Sequence, residues 1–413
     1  MGLDGFALNI GDATQSFVAT TVEYLFGAAA GTNFKLFISM DLSASGAACA
    51  ASSTSCNGPY DYYNIFKQYL GNSAYYAGPN GQPMISTFSA SNLTNTDWTN
   101  WKQTLANQMH FIPDFDATDG YYQAADGWWS YWGNVVDGLF SWEAAWPAIG
   151  GLGGSYPGDV SPDLPVIAGA YSHSKSYMIA LSTLQFKDAY GTNIYRAGDL
   201  NLPTRMQNIL NMTNQPDFVQ VITWNDGPES HYIGNLWSES GSSTPYCSQA
   251  AFPHNAWQPL ITSFIAAFKA GGSTASMAPP GGQAAGALWY KTILQSESCP
   301  GAAQPEGFSS GTDTLNWAVV LPSGSSGMQV RGTSGGNVLQ TVRVYPGMSF
   351  GSFGGVQAGV QFLELLDSSG NVVMATGQGG CVAANCPDGL YNMNYQVLGL
   401  VQGGNGGSGC TNV

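Results

Sequence analysis

The segment Thr223-Trp-Asn-Asp-Gly-Pro-Glu-Ser-His231 carries the residue types best suited to chemistry. Asp226 closes an apolar run, and Glu229 follows three residues later, with Gly227-Pro228 forcing a turn between them. Two carboxyls on one turn can project into one cavity at different depths. Such a pair suits glycoside hydrolysis: one carboxylic acid protonates the leaving oxygen, and a second carboxylate activates water or attacks the sugar carbon. The acid must hold its proton more tightly than usual, through burial or neighbouring negative charge. The plainer reading of the same residues has Glu229 capping a helix or pairing with His231 at the surface.

Other short apolar runs also end on polar groups. Gly5–Asn9, Phe34–Asp41, Pro83–Phe88, His110–Asp114, Gly138–Trp142, Val166–Tyr171 and Phe218–Trp224 read as strands buried on both faces. Their ends offer Asn9, Asp41, Ser89, Asp114 with Asp116, Trp142 with Glu143, Tyr171 with His173, and Asp226. With only 26 acidic residues in the chain, several at strand ends point to a carboxylate-lined, aromatic-rimmed mouth. No Cys/His arrangement suggests a nucleophile, no zinc-ligand spacing is present, and no Gly-rich phosphate loop follows a strand. Neither a cofactor nor a metal is expected.

Helix-like stretches lie between these runs, at 15–28, 60–70, 96–108, 202–212 and 256–270. Alternating strands and helices predict an α/β fold with a parallel sheet. Seven strands are visible. The expectation is a (β/α)8 TIM-type barrel lacking its first strand and helix, which would precede Met1; an open seven-stranded sheet is the alternative. In a barrel, functional residues gather at the carboxyl ends of the strands. The barrel domain is placed at residues 1–271. Gly271–Gly282 reads as a linker, and residues 272–413 as an all-β, sandwich-like accessory domain with a flexible tail at 402–409.

The 413 residues suffice for two domains, and 44% are apolar. Only 9% are charged, yet 12 Trp, 21 Tyr and 19 Phe argue against disorder. A net charge of −15 repels phosphate backbones and excludes nucleic acid as a partner. Aromatic excess with low charge suits a neutral polysaccharide, on whose pyranose faces rings stack, although at least half of these rings must be core. No run of about 18 apolar residues exists to span a membrane. A monomer is expected. Of seven cysteines, Cys49/Cys56 and Cys381/Cys386 read as two small disulfide loops formed in an oxidising compartment. Cys247, Cys299 and Cys410 then leave one thiol over. Two sequons, at Asn92 and Asn211, fit secretion.

Residues 223–233, Thr-Trp-Asn-Asp-x-x-Glu-Ser-His-Tyr-Ile, resemble the signature of glycoside hydrolase family 71, the fungal α-1,3-glucanases or mutanases. Further motifs agree: Asp4–Asn9, Phe34–Asp41, Phe111–Asp114, Asp137–Trp142, Tyr195–Asp199 and Gln215–Phe218. The resemblance spans roughly residues 2–240, and the β-rich remainder is similar to the family's usual second domain. It implies a (β/α)8 barrel, secretion, and hydrolysis of α-1,3-glucan with inversion. It places the catalytic pair on Asp226 and Glu229, with Glu229 as general acid and Asp226 as general base, separated by about 6.5–9.5 Å to admit a water. Asn9, Asp41, Asp114, Trp142 and Tyr171 would line the sugar subsites, with Trp224 and His231 as substrate-binding or supporting groups. The rival readings are a non-catalytic α-glucan-binding protein and a hydrolase of another α-glucan linkage. Retention of both acids favours the enzyme.

Overall fold

The computed structural model describes all residues except 46–56, 147–155, 238–243, 245, 387–388, 405–408 and 411–413. Seven parallel strands form its first half. They are β1 (Gly5–Ile10), β2 (Lys35–Asp41), β3 (Met84–Phe88), β4 (His110–Ile112), β5 (Gly138–Phe140), β6 (Ser176–Ser182) and, after a β7–β8 hairpin (Gln185–Ala189 and Thr192–Arg196), β9 (Phe218–Ile222). β1 to β4 pair in sequence order, and β5, β6 and β9 pair likewise. A parallel bridge from Asp114 to Phe140 joins the two groups. Helices 16–29, 63–69, 95–104, 126–132, 163–172 and 201–210 connect the strands, and helix 258–269 follows β9.

Among the described residues no ladder joins β9 to β1. That gap is bridged by rings, Trp224 against Phe6 at 5.2 Å and Phe218 against Tyr76 at 6.2 Å. Lys269 reaches back to the Asp4 carboxylate at 2.6 Å.

One expected strand is displaced. Val166–Tyr171 lies inside the helix Asp163–Ser172, and the sixth parallel strand is Ser176–Ser182. The helix buries Val166, Ile167 and Ala170, a helical spacing, whereas all seven residues of β6 are buried.

The second half is one eight-stranded antiparallel sheet. Its strands are β10 (Ala285–Lys291), β11 (Thr314–Leu321), β12 (Gln329–Ser334), β13 (Asn337–Arg343), β14 (Gly347–Gly354), β15 (Gln361–Leu366), β16 (Val372–Thr376) and β17 (Tyr395–Gln402). Their order is β13-β12-β15-β16-β17-β10-β11-β14. Leu288, Leu315, Val330, Leu363 and Leu365, drawn from both ends of the sheet, share one core, so the sheet folds over on itself. The opposite faces of β10, β11 and β17 (Ala287, Trp289, Ala318, Val320 and Val397) belong to the core of the parallel half. These strands therefore bury both faces, and β10 reads as an unbroken apolar run.

The expected linker is packed rather than free. Met277 is buried, and Gly347, at φ +79°, fits so closely against Thr274 and Ala275 that a side chain there would collide with their backbone. The cysteine pairing also differs from expectation. Cys386 bonds Cys299, and Cys381 bonds Cys410. The reason lies in the topology: a parallel bridge between Ile293 and Ala383 lays the chain leading to Cys299 beside Cys386. The expected Cys49–Cys56 pair lies outside the described residues. Cys247 is unpaired and buried. Among the described residues no helix is long and apolar enough to cross a membrane.

Candidate active site

β9 ends at Ile222, and the chain turns back on itself over the next eleven residues. Thr223 donates its N–H to the His231 carbonyl at 2.7 Å, and Ile233 donates to the Thr223 carbonyl at 3.1 Å. Inside this loop the Asp226 N–H donates to the Thr223 hydroxyl at 3.0 Å, and the Glu229 N–H donates to the Asp226 carboxylate at 3.1 Å. These bonds point Asp226, Glu229 and His231 at one another, with one ligand atom of each within 4.8 Å of the other two. His231 is fully buried; its Nε2 lies 3.2 Å from Glu229 and 3.9 Å from Asp226. Its Nδ1 meets the Thr223 hydroxyl at 3.2 Å. The side chains of Asp226 and Glu229 keep 35% and 22% exposure, so both open to the mouth.

The hairpin after β6 completes the cluster. Lys187 Nζ stands 2.9 Å from Glu229 Oε1, and Gln185 donates to Glu229 Oε2. Arg196, opposite Gln185 in the hairpin register, pairs with Glu143 at 2.6 Å. Residues two apart on a strand share a face, so Gln185, Lys187 and Arg196 all reach the acidic mouth. Sequence reasoning missed these three donors. Only 11 Lys and Arg occur in the chain, and the Tyr190-Gly191 turn between short β-prone runs was the signal that could have found them.

Charge states follow from these contacts. Burial raises the Asp226 carboxyl, opposed by His231 and reinforced by Glu229. Burial is also the largest influence on Glu229, but the hydrogen bonds and charges of His231 and Lys187 overcome it and hold Glu229 well below the usual carboxylate range. In the free site Asp226 therefore takes up a proton more readily than Glu229. The trio could ligate a divalent cation, but Lys187 and Gln185 already occupy both oxygens of Glu229, and Lys187 supplies the positive charge a metal would bring.

The other expected residues separate into groups. Asp41, at the end of β2, accepts from exposed Asn9 at 3.4 Å; burial raises its carboxyl, and it feels the charge of Glu229. Trp142 lies two residues beyond β5, half-buried, with its ring 6.1 Å from His231 and 5.3 Å from Phe88. These residues surround the same mouth as Asp226. Asp114 is only 2% exposed and sits against Asp116; burial, then the Asp116 charge, raise it well above the carboxylate range. It lies beneath the mouth rather than on it, and Asp116, which accepts from Ser141 and Tyr122, connects it to Glu143. The ring of Trp224 packs on Phe6 and Gly234, across the gap between β9 and β1.

Tyr171 is not with the others. It ends a helix, donates to the Gln215 carbonyl and lines a cleft with His110, Asp137 and Ser176. Those residues begin β4, immediately precede β5 and begin β6, so this cleft lies at the opposite end of the strands from Asp226. The misplacement of the sixth strand put Tyr171 at a carboxyl end where it does not belong.

Residues 1–408 match the model of glycosyl hydrolase family 71. The chain belongs to this family. It is a glycoside hydrolase. The family 71 chain is 29% identical to a mutanase of Penicillium rubens, over 98% of its own length and 83% of the relative's. It is 28% identical to a glucan endo-1,3-alpha-glucosidase of Schizosaccharomyces pombe, over 66% of its own length and 60% of the relative's. Among solved structures, a GH99 endo-alpha-mannosidase from Bacteroides thetaiotaomicron superposes with a TM-score of 0.44 at 11% identity, over 65% of this chain and 76% of that one.

Proposed function

We propose that this family 71 enzyme is a secreted hydrolase of α-1,3-glucosidic bonds in α-1,3-glucan, with Asp226 and Glu229 as its catalytic pair. The observation that carries the reading is the Asp226–Glu229–His231 cluster, ringed by Asp41, Glu143 and Trp142 at the carboxyl ends of the parallel strands. The seven-strand parallel run is read as a (β/α)8-type barrel with one strand's place open between β9 and β1. Residues 1–271 carry the chemistry, and residues 272–413 support it, the whole acting as a monomer. The test is release of reducing sugar from insoluble α-1,3-glucan. Folded protein that pellets with the polymer and releases nothing would support the glucan-binding alternative instead.

The acid/base assignment is Glu229 as general acid and Asp226 as general base, with inversion. In the free site their oxygens stand within 4.8 Å, closer than the about 6.5–9.5 Å of an inverting pair. A sugar entering between the two carboxyls moves them apart to admit water, while Lys187 and Gln185 keep their hold on Glu229. Exclusion of solvent by the bound sugar favours the protonated form of Glu229, the form a general acid needs. The free site's charge order favours the exchanged roles; one measurement reads the stereochemistry and a second the roles. Proton NMR of the first-formed product reads β for inversion and α for retention. With α-glucosyl fluoride, whose leaving group needs no proton, the variant lacking the acid keeps most of its activity and the variant lacking the base does not.

Secretion is read from the disulfides Cys299–Cys386 and Cys381–Cys410 and from the sequons. Asn92 and Asn211 are both exposed, just before one helix and just after another. Protein secreted from a fungal host is expected to carry N-glycans at both. Peptide mass spectrometry with and without a glycosidase that converts the linked Asn to Asp checks this; unmodified asparagines at both positions would contradict it.

A further inference from the structure

The hairpin of β7 and β8 has two different faces. Gln185, Lys187 and Arg196 turn to the acidic mouth, while Phe186 and Tyr195, both 1% exposed, turn away from it. Phe186 packs on Tyr246 at 4.8 Å, and its N–H donates to the Glu229 carbonyl at 3.0 Å, so the hairpin grips Glu229 by backbone as well as by side chain. Tyr195 faces the β-rich half. Its N–H donates to the Glu306 carbonyl at 2.7 Å, and Glu306 returns a bond to the Asn193 carbonyl at 2.9 Å. The Tyr195 hydroxyl meets that of Tyr395, on β17, at 3.0 Å. Tyr395 in turn donates to Asp199 at 2.9 Å, just beyond the hairpin, where the Trp289 indole also donates to the Asp199 carbonyl at 2.6 Å. The loop bearing Glu306 is itself tied by the Cys299–Cys386 disulfide.

We propose that Lys187 is a positioning residue for Glu229, and that the β-rich half acts in catalysis by holding the hairpin that delivers Lys187. The inference rests on Glu229 belonging to the catalytic pair. It gives residues 272–413 a part in the reaction besides any contact with polymer. An ammonium 2.9 Å from a carboxylate fixes both its rotamer and its proton affinity. The groups that face Glu229 are Lys187 and Gln185 from the hairpin, Asp226 and His231 from its own loop, Asp41 from β2, and Glu143, which Arg196 neutralises. Lys187 is the one cation among them with a direct bond to Glu229 from another element, so its removal leaves a net acidic surrounding.

The test uses full-length protein labelled with carboxyl-13C glutamate, the Glu229 signal being assigned by its loss in Glu229→Gln. In Lys187→Met the Glu229 carboxyl is expected to titrate about one to three pH units higher than in wild type, and the bell of kcat/KM against pH to move the same way. Lys187→Arg restores both. Tyr395→Phe, which removes the hydroxyl linking β17 to the hairpin, shifts Glu229 in the same direction by less. An unchanged Glu229 titration in folded Lys187→Met overturns the proposal. A Tyr395→Phe protein whose Glu229 titrates as in wild type overturns the part given to the β-rich half. A shifted titration with an unmoved activity profile would leave Lys187 governing Glu229 and remove Glu229 from the chemistry, so the two readings fail separately. Should Lys187→Met not fold, Gln185→Ala with the same NMR readout takes its place, with the same direction expected.

Discussion

Asp226→Asn and Glu229→Gln are each expected to lower kcat on α-1,3-glucan by about 10²–10⁴-fold or more while leaving the fold intact. Both changes keep the side-chain shape and remove only the capacity to exchange a proton. Asp226→Asn retains an oxygen to accept the Glu229 N–H, so the turn that shapes the loop survives. Glu229→Gln keeps an oxygen facing the Gln185 and Lys187 donors but loses the charge that they hold below the usual carboxylate range, so a modest fall in stability accompanies it. Loss of rate in protein that stays folded at the assay temperature therefore reports chemistry and not folding. Wild-type rates in either variant would remove that residue from the mechanism. A binding protein would show no rate to lose, yet both variants would still pellet with the polymer. Trp142→Ala gives a contrasting signature: its ring borders the mouth without touching a carboxylate proton, so KM rises more than kcat falls.

The placement of Asp226 and Glu229 on one loop after a strand was legible because its signal is local. An apolar run buried as a strand, then Asp, Gly-Pro and Glu, fixes where two carboxyls emerge, and the structure has β9 ending at Ile222 with Asp226 and Glu229 on the following loop. The parallel strands were legible for the same reason, since burial on both faces removes the polar alternation. Residues 166–171 show the limit of that argument. A short apolar run has no period of its own, and only the helical spacing of Val166, Ile167 and Ala170, read over a longer window, separates it from a strand. Tyr171 then inherited the wrong end of the sheet.

What was not legible acts through space. Lys187 is 42 residues from Glu229 in sequence, and nothing local to either names the other. The cysteines fail in the same way. Cys381 and Cys386 are neighbours in sequence, but the Ile293–Ala383 bridge brings Cys299 to Cys386, and Cys381 meets Cys410 instead. The segment 271–282 has linker composition, yet it packs because the two halves share a core, and shared burial is invisible in composition. Asp114 ends a strand as expected, but the depth at which it ends is set by Asp116, Ser141 and Tyr122 from neighbouring elements.

The largest expected loss of stability comes from Arg205→Leu, away from the Asp226–Glu229 loop. Arg205 and Asp163 are both fully buried and pair at 2.9 Å. Arg205 also donates to the Ala180 carbonyl at 2.6 Å and the Asp159 carbonyl at 2.7 Å, and Tyr177 donates to Asp163 at 2.6 Å. One guanidinium thus joins helix 201–210 to β6, to helix 163–172 and to the loop before it. Removing one partner of a buried pair costs about 3–5 kcal/mol, because the other charge is left in a dry interior. At about 2.1 cal/mol/K of unfolding entropy per residue, 413 residues melting together shift by about 1.2 °C per kcal/mol, so melting should fall by roughly 3–6 °C. The pH dependence has a definite sign. Burial already raises the Asp163 carboxyl, with Arg205 opposing it, so in the variant the carboxyl rises further. A raised acid costs stability above its folded value and ceases to do so once protonated. The deficit of Arg205→Leu should therefore narrow as pH falls into the acidic range, and Arg205→Leu with Asp163→Leu should lose less than Arg205→Leu alone. Equal deficits across pH, measured by denaturant midpoint, would mean that the loss comes from packing and the two carbonyl contacts of Arg205 rather than from the stranded charge.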